Sequence, residues 1–135
     1  MPKPYKLWMA ELVSNLTGYM NLSGWEIELT FVSKPHPEDG ECRPADVNVL
    51  SEYQKANICI YPTVEKSFRK KQHLYIVSIM IHELCHTITA PFGDLLEPHT
   101  SKTTEPFITK QLESATQKIA VLILKSLPDH VVPSR

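Results

Sequence analysis

The chain has 135 residues, enough for one domain and too few for two independent cores. Its hydrophobic fraction of 42% and charged fraction of 21% exclude a disordered chain, and no apolar run approaches the roughly 20 residues a membrane-spanning helix needs. With 14 Lys+Arg against 15 Asp+Glu the formal charge is −1, so no field is available to gather nucleic acid. Cys42, Cys59 and Cys85 are an odd count without CxxC spacing, which fits a reducing compartment better than a disulfide framework. Together with an N-terminus that lacks a secretory pattern, this gives a cytoplasmic expectation, with neither membrane nor nucleic acid as partner.

In chain order, Leu7, Trp8, Leu12, Leu16, Tyr19 and Met20 recur at spacings near three and four, which predicts an amphipathic helix over 5–20. Trp25, Ile27, Leu29 and Phe31 then alternate with Glu26, Glu28 and Thr30, the period-two signature of a half-buried strand. Residues 34–41 hold two prolines, a glycine and three acids and read as a loop. Two short β-rich runs, 45–50 and 56–61, predict two further strands of an antiparallel or mixed sheet, with Pro62 closing the second. A helical pattern over 68–90 should end at Pro91 and Gly93, and 92–104 should be loop. Thr104 is the expected N-cap of a final helix reaching about residue 127, with Ile108, Leu112, Ala115, Ile119 and Ile123 on one face. Residues 129–135 read as a frayed tail.

The chemistry is concentrated in His82-Glu83-Leu84-Cys85-His86, an HExxH string inside the third helical region. At about 100° per residue, His82 and His86 share one face one turn apart, so two imidazoles can converge on one tetrahedral cation. Glu83 lies about 100° round from His82, beside the cation, where it can hold a water and accept its proton. Val77, Met80, Ile81, Leu84 and Ile88 form the opposite, core-facing side. Two imidazoles and a carboxylate on so apolar a segment cost several kcal/mol unless each finds a partner, and zinc is the natural one for the histidines. Cys85 reads as a small buried thiol, and His36, His73 and His130 as surface residues.

This motif resembles that of the zincin metallopeptidases, and the order helix, strands, HExxH helix, C-terminal helix is similar to their core. The resemblance implies an α+β fold over 1–135 as a single zincin-like domain, one Zn2+ per chain and hydrolysis of peptide or protein substrates. Residues 87–92 lack the Gly and third His of the extended metzincin signature. Gluzincins draw a third ligand, a glutamate, from a later helix, and Glu113 is the position that matches. Short phage- and prophage-encoded metallopeptidase-like proteins are similar in length and layout. Asp94, Glu97, His99 and Glu105 are the other candidates after His86, with His99 the alternative third ligand. In zincins an edge strand pairs with the extended substrate, which points to Asn57, Ile58, Cys59 and Ile60 in the last strand before the helix. Tyr61, Tyr75 and His99 are unranked candidates for stabilising an oxyanion. The rival reading is a catalytically silent, zinc-stabilised protein-binding module of the same fold.

Overall fold

The computed structural model describes residues 3–96, 98 and 101–134. Four helices and three strands follow in the order α1 (Tyr5–Tyr19), β1 (Glu26–Phe31), β2 (Ala45–Leu50), β3 (Lys55–Ile60), α2 (Pro62–Arg69), α3 (His73–Leu96) and α4 (Glu105–Ser126). The fold is α+β, with a mixed sheet of order β1-β3-β2 in which β1 runs parallel and β2 antiparallel to β3. No helix among the described residues is long and apolar enough to cross a membrane.

The register stacks apolar residues in rows. Ile27, Ala56 and Val49 stand side by side, as do Leu29, Ile58 and Val47, then Phe31, Ile60 and Ala45. These rows form one face of the sheet, and helices cover it. Trp8, Leu12 and Leu16 of α1 and Ile76, Met80, Ile81 and Leu84 of α3 are fully buried against it. Of the expected core-facing residues of α3, Val77, Met80, Ile81 and Leu84 are buried and Ile88 is half-buried. The other face is wet: Lys55 pairs with Glu26 at 3.2 Å, and the Thr30 hydroxyl donates to Asn57 Oδ1 at 2.9 Å.

Several expectations are corrected. β3 is the central strand, hydrogen-bonded on both sides, so Asn57, Ile58, Cys59 and Ile60 have no free backbone edge to offer a substrate. The helical stretch read as beginning near 68 is two helices. α2 opens with Pro62 in its first turn, where a proline's missing N–H is no loss, and it closes at a left-handed Lys71 (φ 63°). There Gln72 N donates to Ser67 O and Lys71 N to Phe68 O, a Schellman closure normally signalled by glycine. α1 ends in the same way at Asn21 (φ 58°), with Leu22 N on Thr17 O.

Pro91 does not end α3, which continues to Leu96. Packing on α4 holds the extension: a Cβ on Gly93 would meet Leu112 Cδ1 at 3.2 Å, so this glycine is a contact point rather than a terminator. The C-terminal segment is docked rather than frayed. Asp129–Val131 form a 3-10 turn, Val131 is buried, Trp8 Nε1 donates to Pro133 O at 3.0 Å and Asn15 Nδ2 to Val131 O at 2.9 Å.

Candidate metal centre

His82 and His86 project from α3 one turn apart, their rings 5.0 Å centre to centre and nearly perpendicular. Glu113 reaches them from α4, with Oε1 2.8 Å from His82 Nε2 and Oε2 3.5 Å from His86 Nε2. The three donor atoms lie within 4.8 Å of one another. Ligands about 2.0–2.1 Å from one tetrahedral zinc stand about 3.3 Å apart. The cluster therefore closes on a cation by small side-chain rotations, without moving a helix.

The hydrogen bonding of His82 tests the fit. Its Nδ1 faces Gln117 Oε1 at 2.6 Å while its Nε2 faces the Glu113 carboxylate. With the Gln117 amide in this orientation, both ring nitrogens meet oxygen acceptors. A neutral imidazole has one N–H and cannot serve both. Either a second proton or a cation must stand between Nε2 and the carboxylate. With Nδ1–H donated to Gln117, the Nε2 lone pair is aimed at the space between the three donors, where a cation would sit; a hydrogen bond on the far nitrogen is what fixes the tautomer of a metal-bound imidazole. Gln117 is absent from the sequence reading; its signal was its place one turn after Glu113 on the same helix face.

Two buried hydroxyls set the helix pairing beneath this cluster. Thr89 and Thr116, three residues beyond His86 and Glu113 respectively, meet at 2.7 Å between α3 and α4. Thr116 also bonds back to Leu112 O. Cys85 is fully buried, and burial lifts its thiol to about 11, so it stays an inert core group.

Glu83 is only 9% exposed and has no hydrogen-bond partner among those found for the site. Burial first, then the carboxylates of Asp46 and Glu113, push its pKa up to about 8. Burial also lowers the pKa of His86, with the Glu113 carboxylate working against that shift. In the metal-free chain the pocket thus holds a neutral acid beside an imidazole disposed to stay neutral, and a dication placed there would favour the ionised carboxylate.

His82, Glu83, His86 and Glu113 line one cleft of about 730 Å³, whose opposite wall is β2 with the preceding Arg43. Tyr61 N donates to Pro44 O at 2.9 Å, which fixes the ladder phase: residues 44, 46, 48 and 50 bond β3, and Ala45, Val47 and Val49 point their N–H and C=O groups outward. No other backbone bond among the described residues uses these groups. The free edge that lies along the site is therefore that of β2. Tyr61 donates its hydroxyl to Asp46 Oδ2 at 2.8 Å, and that bond raises its pKa to about 12. Neither Tyr61 nor Tyr75 lines the cleft. Arg43, which sequence reasoning did not single out, contacts Asp39 at 2.5 Å and Asp46 at 3.8 Å at the cleft's mouth. His99, the alternative ligand, and Glu97 lie outside the described residues. Asp94 is exposed near the end of α3, and Glu105 sits in the first turn of α4.

Compared with known proteins, the chain has no significant match to any family model, curated protein or solved structure.

Proposed function

We propose that this protein is a zinc-dependent peptidase of the zincin kind, with His82, His86 and Glu113 as ligands and Glu83 as general base. The observation that carries the reading is the convergence of two imidazoles and a carboxylate from two helices, with a fourth, buried carboxyl group beside them. Zinc bound there would act as a Lewis acid, acidifying a water and polarising the scissile carbonyl. Glu83 takes one proton from the attacking water and delivers it to the leaving nitrogen as the C–N bond breaks, so no covalent enzyme intermediate is needed. Gln117 holds His82 in the tautomer that ligation requires. An extended peptide adds to β2 as a further strand, pairing with the outward groups of Ala45, Val47 and Val49.

The test combines metal analysis with peptide cleavage. Purified protein is expected to carry one zinc per chain and to cut peptides from a broad library. Glu83→Gln is expected to keep the zinc and lose the cleavage. Protein that holds zinc but leaves every peptide intact would instead be the silent binding module. Protein that takes up no zinc would end both readings.

A further inference from the structure

The loop between β1 and β2 is organised around one imidazole. His36 reads from the sequence as a surface residue, yet its side chain is only 16% exposed and its ring stands edge-on to Tyr61, 5.5 Å between centres. The backbone N–H groups of Glu38 and Asp39 both donate to His36 Nδ1, at 3.2 and 3.1 Å. Neither amide has another acceptor among the described residues, so the two donors dictate which way the ring faces. Gly40 completes the turn. Its N–H returns to His36 O at 2.9 Å, with the backbone in the left-handed region (φ 57°) that favours glycine.

An imidazole accepts amides at Nδ1 only while that nitrogen carries no proton; in the imidazolium both ring nitrogens are donors. A proton added to neutral His36 therefore removes both bonds at once. The carboxylate within reach of Nδ1 is Asp39 Oδ2, at 3.8 Å, and the Arg43 guanidinium already holds that same oxygen at 2.5 Å. Arg43 has a second carboxylate, Asp46 Oδ2, at 3.8 Å. Among the described residues, the ionisable groups around His36 are thus Asp39 and Arg43 of its own loop and Tyr61 at the end of β3, whose hydroxyl is tied to Asp46 of β2.

We propose that His36 is a pH-operated latch on the loop that walls the cleft. Neutral, it caps the amides of Glu38 and Asp39 and leaves the Asp39 carboxylate to Arg43. Protonated, it releases both amides, turns its Nδ1–H to Asp39 and frees Arg43 to move to Asp46. The far end of the loop brings Cys42, Arg43 and Pro44 to the cleft wall. That end is pinned by Tyr61 N on Pro44 O and by Thr63 and Lys66 on Glu41. Acidification across the histidine range, about pH 8 to 5, therefore loosens the tip of the loop and leaves the pinned wall in place. It also repositions Arg43, the only Lys or Arg among the described residues that line this cleft. The latch depends on neither metal nor peptide cleavage.

Backbone NMR of the metal-free protein between pH 8 and 5 tests it, with each amide exchange rate taken relative to the unfolded chain at the same pH. The Glu38 and Asp39 amides are expected to lose protection about tenfold at the midpoint of the His36 ring signals, while β3 keeps its own. The Arg43 side-chain signal should shift at the same midpoint. His36→Asn separates the latch from its proton, because an asparagine oxygen accepts nearby backbone amides and does not titrate; both amides should stay protected throughout. His36→Phe keeps a ring beside Tyr61 but accepts nothing, and should leave them unprotected at every pH. Glu38 and Asp39 amides that keep their protection through the His36 transition overturn the proposal, as does a His36→Asn variant that responds to pH as the wild type does.

Discussion

The two borders of the sheet are built alike and furnished differently. At each, alternate residues turn their backbone groups outward along a groove: Ala45, Val47 and Val49 on β2, Ile27, Leu29 and Phe31 on β1. Beside β1 lies α1, whose groove side is small and uncharged. Beside β2 lies α3, which carries two imidazoles and a buried carboxyl group, with Glu113 brought in by α4. An open edge beside a groove is thus not what marks the candidate site. The mark is the concentration of ionisable groups on an otherwise buried helix, which is tolerable only if something compensates them.

The largest effect that would break this contrast is catalytic. Glu83→Gln is expected to lower peptide cleavage about 10²–10⁴-fold at unchanged zinc content, whereas Thr30→Glu on the opposite edge is expected to leave kcat/KM unaltered. A cleavage rate indifferent to Glu83 would remove the distinction between the two edges.

Next in size is a pH effect on the metal-free protein. The pKa of Glu83 is raised from an ordinary 4.5 to about 8 on folding, so the folded state holds the proton more tightly than the unfolded chain. Stability from this group is present in full below about pH 4.5 and is lost as pH rises towards 8, on the order of a few kcal/mol. Urea midpoints measured in chelator should fall across that window in the wild type. They should be flatter in Glu83→Gln, which ought to be the more stable of the two at pH 8.

Gln117→Ala sharpens the comparison more finely. It removes the acceptor on His82 Nδ1 and is expected to weaken zinc binding about 10–100-fold in a competition titration, without unfolding the chain. Smallest is the edge itself. Val47→Pro deletes one outward N–H at a position where an edge strand accepts proline, and should raise KM several-fold with little change in kcat or zinc content.

Much of this was legible in the residues. The HExxH spacing put both imidazoles on one helix face, and the apolar stripe of α3 is the one found buried, except for the half-buried Ile88. Period two in 25–31 marked β1, and the position of Glu113 on a second helix was written in the same 3.6-residue repeat. Sheet order was not legible, because alternation says which face of a strand is wet but nothing about its neighbours; β3 consequently reads as an edge when it is the centre. Nor was the break between α2 and α3, where Lys71 takes the left-handed conformation that glycine normally announces. The docking of the last residues depends on backbone carbonyls of Val131 and Pro133, which leave no side-chain signature.

The hydroxyl pair of Thr89 and Thr116 has a consequence for how the cluster responds to a cation. Two buried hydroxyls that meet across the helix seam act as a keyway: advancing α4 along α3 by a single residue in a screw motion would turn Glu113 through about 100° and break the contact between them, leaving each only the carbonyl of its own helix. Glu113 is therefore held opposite the two histidines by the helix pairing itself, and under the proposed reading ion capture would need no reordering of the helix hairpin.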